Sequence, residues 1–370
     1  MDDIEINTKK LYKSFTDINS FANIKMMKCF NDVLKPNEIK NNFGFLIFLF
    51  IVISFFIILF LFLFKFYEIL KNQILQMVTA KKNMKAENEI KNIIGVKNND
   101  INFEKSKTKR IDDNYLMNSN TSENSKIGLK NEENKKYEEI LKLNDYELNT
   151  LPYEKALDQD KRTYLEYYYS LLKINHIFIF TFFHDKDYNS KVIKIFLLIF
   201  SFSLNLTINA LFFNDETMHK IYKDHGTFNF IYQLPQILYS TIISAVINII
   251  IKKLALSEKD VIKIKQEKKK EDLDMLKTKL FSKLKIKFSI FFVLSFSFLI
   301  LFWTLITCFC GVYKNTQTHL IKDSIIGFVT SLLYPFGIYI IPGIFRISAL
   351  RSETKDQSCL YKFSKLIQMF

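Results

Sequence analysis

The chain has 370 residues, a formal net charge of +14, 38 Phe and only 8 Gly. It contains neither of the glycine-rich phosphate-binding motifs, G-x-G-x-x-G and G-x-x-x-x-G-K-[ST], which excludes the nucleotide-binding folds built on them. The lysines cluster beside apolar runs, and no recognition module accompanies them. This pattern favours a membrane surface over nucleic acid as the partner, so we expect no nucleic-acid binding and no cofactor.

Five long apolar runs dominate the sequence. An α-helix needs about 20 apolar residues to cross the hydrocarbon core of a bilayer, and the runs have that length. The predicted spans are residues 43–66, 191–213, 230–251, 288–312 and 325–345. The fold class is therefore predicted to be all-α, an integral membrane bundle of five transmembrane helices with tails at 1–42 and 346–370.

A long polar insertion, residues 67–190, separates the first two spans. Its centre, 98–135, is rich in Lys, Asn, Glu and Ser, and we predict disorder there because such a composition buries too little apolar surface to offset the entropy of ordering. The flanking parts, 67–97 and 136–147, are predicted as helices that extend from the membrane, and a coiled coil is expected in the protein. Residues 164–183 join a tyrosine cluster to a short apolar run, which favours a helix at the membrane interface; a re-entrant segment is the alternative.

The orientation follows from the loop 252–287, which carries 13 lysines against six acidic residues. The loop is short enough for the positive-inside rule, so we place it in the cytoplasm, close to anionic lipid headgroups. Counting spans then puts residues 1–42 and 214–229 outside, and the insertion and the C-terminal tail inside. The cytoplasmic loops are the expected contact sites for protein partners.

Two pairs of amides lie in the spans. Asn205 and Asn209 are four residues apart and share one face of the second helix. Gln233 and Gln236 lie near the start of the third helix. Buried amides in lipid seek partners on neighbouring helices, so we predict interhelical hydrogen bonds; a pore-facing role on an ion or solute path is the alternative.

Pro335 and Pro342 lie seven residues apart in the fifth span, near one face. Each lacks an N–H, and we predict that each kinks the helix. No ionisable residue lies in the middle of any span. That absence counts against proton-coupled transport and intramembrane aspartyl proteolysis, but not against a channel lined by backbone and amides.

Two groups of histidines and acids stand out, namely His184, Asp185 and Asp187, and Asp215, Glu216, His219, Asp224 and His225. Asp215 and His219 have the i, i+4 spacing that can bring two metal ligands to one helix face. The predicted topology puts the two groups at opposite ends of the second span, which excludes one shared metal site. A site within the second group stays open as the alternative to a solvated turn, and no metal or catalytic residue is assigned.

Several long phrases carry a family resemblance. They are LNDYELNTLPYEKALDQDKRTYLEYYYSLLK at 143–173, the run 184–244, LALSEKDVI at 254–262, and the run 309–350, which begins FCGVYKNTQTHLIKDS. Through these phrases, residues 140–350 resemble a family of polytopic membrane proteins of protists, ciliates among them. The resemblance implies a multi-pass unit at the C-terminal end of chains that can be larger, and it implies no activity, cofactor or catalytic residue.

The sequence favours a non-enzymatic scaffold or subunit of a membrane complex, because a large charged cytoplasmic surface accompanies spans without coupled ionisable groups. A channel or transporter for ions or small solutes is the alternative, based on the amide pairs and the prolines. An enzyme, which would need a metal at Asp215 and His219, ranks third.

Overall fold

The fold is helical throughout the part of the chain that the structure describes. The structure is a computed structural model. It describes residues 12, 15–16, 22–104, 133–213, 230–267, 273–352 and 357–368, without the side chains of 88–104 and 230–237. No strand occurs within these ranges. The predicted all-α fold class is confirmed.

The first long helix, α1, runs without a break through Phe43–Leu61, a π-helical turn at Phe62–Phe66, and Tyr67–Glu104. Short helical turns precede it at Ile24–Cys29, Phe30–Val33 and Pro36–Ile39. The helices that follow are α2 (133–141), α3 (Asp145–Thr150), α4 (Tyr153–Gln159), α5 (Tyr164–Asn175), α6 (Ile177–Phe183), α7 (Lys191–Phe212), α8 (Phe230–Ala255), α9 (Glu258–Gln266), α10 (Leu273–Val312), α11 (Gln317–Ile338), α12 (Ile340–Arg351) and α13 (Ser358–Ile367).

Five segments of the described chain are long and apolar enough to cross a membrane, in the order predicted. They lie in Phe43–Glu87, Lys191–Phe212, Leu238–Ala255, Leu273–Val312 and Gln317–Arg351. Their outer faces expose large apolar side chains, including Phe50, Phe64, Val293 and Leu333. Extended apolar surface of this kind suits contact with lipid, and the chain is a multi-pass membrane protein.

The two longest helices, α1 and α10, run antiparallel and stay together beyond the apolar part of the bundle. The rings of Phe62 and Phe288 lie 5.0 Å apart within the apolar part. Further along α1, Lys82 forms an ion pair with Asp274, near the start of α10. We call this end of the bundle the lysine-rich end, because the loop 252–287 lies there.

Gly44 lets the other ends of α1 and α10 approach closely. A Cβ atom added at Gly44 would stand 2.7 Å from Sγ of Cys310 and 2.9 Å from the carbonyl oxygen of Ile306. The side-chain amide of Asn42 donates to the Thr307 carbonyl at 2.9 Å, which ties the start of α1 to α10. A small residue at this contact is typical of closely packed transmembrane helices.

Phenylalanine rings fill the space between α7, α1 and α10. Phe196 lies 5.5 Å from both Phe55 and Phe291. One turn further along α7, Phe200 lies 5.7 Å from Phe302. Contacts of edge-to-face and tilted type add to the stabilisation from burial. α7 therefore runs parallel to α10, and α8 and α11 pack on α7.

The predicted disordered segment 98–135 lies mostly outside the described residues. Both of its edges are helical, since α1 continues to Glu104 and α2 begins at residue 133. The helix predicted at 67–97 is therefore longer than expected, and the helix predicted at 136–147 is divided between α2 and α3.

The segment 164–183, predicted as one interfacial helix, forms two helices separated at His176. The backbone of His176 is extended, with φ −76° and ψ 109°. α5 packs antiparallel to α11, because the Tyr168 hydroxyl donates to the Phe336 carbonyl (2.9 Å) and His176 Nε2 lies 2.7 Å from the Leu332 carbonyl oxygen. The break between α5 and α6 thus lies beside the apolar part of α11 and not beyond its end.

The fifth apolar segment is interrupted once, at Tyr339, between the two prolines that were predicted as kinks. The Tyr339 N–H donates to the Pro335 carbonyl at 3.1 Å. Pro342 is the third residue of α12. The first turn of a helix has no internal acceptors for its N–H groups, so a proline there removes no hydrogen bond.

Candidate functional site

A pocket of about 140 Å³ opens where α5 ends and α6 begins, and α7, α8 and α11 complete its walls. We call it the break pocket. Its polar lining consists of Asn175, His176, Ser201, Asn248, Lys252 and Ser331. Among the described residues that line it, none is acidic.

His176 makes the break that forms one wall of the pocket. Its Nδ1 accepts the backbone N–H of Ile179 at 3.3 Å, so the ring caps the first turn of α6. A neutral ring that accepts at Nδ1 carries its proton at Nε2, which then donates to the Leu332 carbonyl at 2.7 Å. Because both ring nitrogens are engaged, we interpret His176 as a structural residue and not as a general base.

The break pocket contains hydrogen-bond donors without acceptors. Asn175 Nδ2 is buried and has no partner in the described part of the chain. Lys252 takes part in none of the ion pairs that join the described lysines to carboxylates. The Ser331 hydroxyl donates to the Phe328 carbonyl at 2.6 Å. The Asn175 amide and the Lys252 ammonium group are therefore available to bind a ligand in the pocket.

The predicted amide face of α7 points at α11 and not into the break pocket. Asn205 Nδ2 donates to the Ser324 carbonyl (3.1 Å), and Asn209 Nδ2 donates to the Ser324 hydroxyl (3.0 Å). Both amides therefore make interhelical hydrogen bonds. The side chains of Gln233 and Gln236 lie outside the described residues.

The second histidine and acid group, with Asp215 and His219, also lies outside the described residues. Within the described ranges, no group of three or more His, Cys, Asp or Glu side chains is arranged to hold a metal ion. His184 and Asp187, from the first group, instead take part in structural contacts at the lysine-rich end.

Arg346, in α12, is completely buried. Its Nη2 donates to Asp160 Oδ2 at 2.8 Å and to the Leu148 carbonyl at 2.7 Å. The guanidinium carbon lies 4.9 Å from the ring centroid of Tyr167 and 4.6 Å from that of Tyr361. One side chain thus joins α12 to α3, α5, α13 and the loop after α4.

Asp160 has a second cationic partner, since Arg162 Nε lies 2.8 Å from its Oδ1. Burial alone would raise the pKa of Asp160. The hydrogen bonds and charges of Arg162 and Arg346 outweigh burial and hold that pKa below its usual value. The carboxylate is therefore ionised at neutral pH, and we call Asp160, Arg162 and Arg346 the arginine cluster.

A second buried ion pair ties the loop after α6 to the first turn of α7. Lys194 Nζ donates to Asp187 Oδ1 at 2.7 Å and to the His184 carbonyl at 2.5 Å. Both charged side chains are only 2% exposed. His184 Nδ1 lies 2.9 Å from the Lys173 carbonyl oxygen, which links the same loop to the end of α5.

Asn189 connects this loop to the start of α9. Its Oδ1 accepts the backbone N–H groups of Ser257 (2.9 Å) and Glu258 (3.2 Å). The Glu258 carboxyl accepts from the side-chain amides of Asn144 (2.8 Å) and Asn189 (3.1 Å). Burial, together with the nearby negative charge of Asp187, raises the pKa of Glu258 to about 8.

The raised pKa of Glu258 predicts a pH-dependent stability. In the unfolded chain this carboxyl titrates near 4.5, so between pH 4.5 and about 8 the folded state binds the extra proton. The free energy of unfolding should therefore fall as pH rises through this window. Glu258→Gln cannot ionise and keeps one of the two acceptor oxygens, so its stability should change less with pH across this window than that of the natural protein.

Thermal unfolding in detergent, measured at pH values on both sides of this window, tests that expectation. Glu154→Gln is the matched control, because Glu154 lies exposed on α4. Its pH profile should follow that of the natural protein. If Glu258→Gln also followed that profile, the assigned role of Glu258 would be wrong.

No family model, curated protein or solved structure matches the chain. The resemblance of residues 140–350 to the protist membrane family therefore stays a prediction.

Proposed function

We propose that the protein is a non-enzymatic scaffold or subunit of a membrane complex, whose spans hold a folded polar unit at the cytoplasmic face. The polar unit comprises α2 to α5, the loop after α6, α9 and α13. The burial of Arg346 carries the proposal, since the last apolar segment ends in a cation that is enclosed by this unit. A buried, hydrogen-bonded ion pair holds its two sides in one arrangement, and a fixed surface suits stable partners.

The cytoplasmic orientation rests on the lysines of 252–287 and the positive-inside rule. Four of them are paired with acidic residues of the described chain, namely Lys265, Lys277, Lys283 and Lys287. Others, including Lys259 and Lys285, are exposed. We expect the exposed lysines to contact anionic headgroups, and the polar unit to contact protein partners.

Isolation from native membranes in mild detergent, followed by mass measurement of the intact species, tests the scaffold proposal. We expect a stoichiometric assembly with other subunits. Crosslinking before solubilisation is the control for dissociation in detergent. If the crosslinked material contained this chain alone, as monomer or homo-oligomer, the proposal would be wrong.

Cys359 gives a direct test of orientation. It is exposed on α13, whereas Cys308 and Cys310 are buried. In sealed microsomes, whose cytoplasmic face is outward, a membrane-impermeant maleimide should label Cys359 without added detergent. Cys359→Ser should remove this label from the C-terminal peptide. Labelling of that peptide only after permeabilisation would show that the orientation is the opposite of the proposed one.

A channel or transporter is the second candidate, and the break pocket favours it. Interrupted helices that meet at a polar pocket are typical of transporter binding sites, because irregular backbone at membrane depth is tolerated when it is buried in protein or lines a cavity. The hydrogen bonds of Asn205 and Asn209 to Ser324 count against a path along that face.

Flux measurements on reconstituted protein test this second candidate. If solutes pass through the break pocket, Asn248→Ala should change the flux more than Asn209→Ala. A larger effect of Asn209→Ala would indicate that the solute path lies along the face of α7 that contacts α11. No flux of ions or small solutes under any condition would contradict the transport function.

A further inference from the structure

The break pocket combines a positive charge with donors and has no acidic residue in its described lining. Lys252 supplies an ammonium group, and Asn175 supplies a buried Nδ2 without a partner. Asn248 and Ser201 add further polar groups. A buried donor such as Asn175 Nδ2 is costly unless it is hydrogen-bonded. The chemistry that satisfies this set is an anion with several oxygen acceptors.

Lys252 lines the break pocket and forms no ion pair with a carboxylate of the described chain. The nearby carboxylates already have cations, since Asp187 pairs with Lys194, and Asp260 pairs with Lys283 and Lys287. The remaining walls beside Lys252 include apolar side chains of α6 and α11. The Lys252 ammonium group is therefore free of ion pairs with described carboxylates and can bind an anion in the pocket.

The size and the position of the pocket restrict the ligand. Its volume of about 140 Å³ corresponds to about five water molecules at about 30 Å³ each, which is room for one tetrahedral phosphate group. Lys252 lies three residues before the end of α8, at the lysine-rich end of the bundle. In the proposed orientation this end faces the cytoplasmic leaflet, so we expect the phosphate groups of its lipids to lie close to Lys252.

We propose that the break pocket binds a phosphate-type anion, supplied by the headgroup of an anionic phospholipid or by free phosphate. Lys252 provides the charge, and Asn175 Nδ2 provides a directed hydrogen bond. The proposal is independent of the scaffold and transport functions, because a bound phosphate can serve either.

The chain offers a matched pair of variants for the test. Lys252→Gln removes the charge from the pocket. Lys253→Gln removes the same charge from the adjacent residue of α8, which is exposed like Lys252 but does not line the pocket. Full-length delipidated protein is examined by native mass spectrometry with phosphatidic acid against phosphatidylcholine, and by thermal unfolding with added inorganic phosphate.

We expect binding to weaken about tenfold or more in Lys252→Gln, the loss typical of one charged hydrogen bond, and to be unchanged in Lys253→Gln. Retention of phosphatidic acid identifies the lipid source, and stabilisation by inorganic phosphate alone identifies the free anion. Equal losses in both variants, or no binding of either probe, would overturn the proposal. Asn175→Ala should weaken binding without lowering the unfolding midpoint of the unliganded protein.

Discussion

Arg346→Ala is expected to lower the free energy of unfolding by about 3–5 kcal/mol, the usual cost of breaking a buried ion pair from one side. The substitution removes a donor from Asp160 and from the Leu148 carbonyl, which lie 2.8 and 2.7 Å from Arg346 Nη2. It also removes the cation between Tyr167 and Tyr361 and leaves a cavity in its place.

Thermal unfolding of the purified protein in detergent measures this loss. Arg351→Ala is the control, because Arg351 is the exposed last residue of the same helix. We expect the control to change the free energy of unfolding by less than about 0.5 kcal/mol. A similar small effect of Arg346→Ala would show that the arginine cluster does not hold the polar unit to α12.

A double variant separates loss of the ion pair from loss of packing. Arg346→Met with Asp160→Asn removes both charges and keeps most of the buried volume. We expect it to recover the part of the stability that Arg346→Ala loses through the cavity, because the Met side chain fills most of that volume. The recovery should be partial, because Arg162 loses its charged partner when Asp160 becomes Asn.

The membrane spans could be predicted from the sequence because hydrophobic length is a local property of the chain. All five apolar runs form helices long enough to cross a membrane. The i, i+4 spacing of Asn205 and Asn209 also predicted one shared face, and both side chains meet Ser324. Their partner could not be predicted, since it lies more than 100 residues further along the chain.

Little in the sequence indicates the break at His176. No glycine or proline lies between residues 164 and 183 to mark the end of a helix. The break is stabilised by the ring of His176, which caps α6 and donates to the Leu332 carbonyl of α11. A tertiary contact of this kind overrides the local tendency to continue one helix.

Charge counting overestimated the free basic surface. The excess of lysines in 252–287 predicted a face exposed to anionic lipid, yet Lys265 is buried against Glu147, and Lys287 is largely covered beside Asp260. Lys194 and Arg346 lie next to long apolar runs, and this position could have indicated that these cations are buried in ion pairs. An ionisable residue at such a place usually has a partner.

The ion pair of Lys194 with Asp187 leads to the second large expected effect. Lys194→Met should lower the free energy of unfolding by about 3–5 kcal/mol, because Asp187 would remain buried without a cation. Glu258 lies near the same carboxylate and has a raised pKa. Removal of the only cation bonded to Asp187 in the described part of the chain would leave two buried acidic groups near each other, where the loop after α6 contacts the start of α9.

Lys191→Met provides the comparison for Lys194→Met, one helical turn away. Lys191 pairs with Asp185 at 3.4 Å, but these side chains are 52 and 69% exposed, so the pair is worth about 0–1 kcal/mol. Thermal unfolding should show a larger loss of stability in Lys194→Met than in Lys191→Met. Limited proteolysis should cut the loop 184–190 faster in Lys194→Met only. Lys194→Met with Asp187→Asn should regain much of the loss. Equal stability of the two single variants would mean that the buried pair does not hold this loop to the membrane helices.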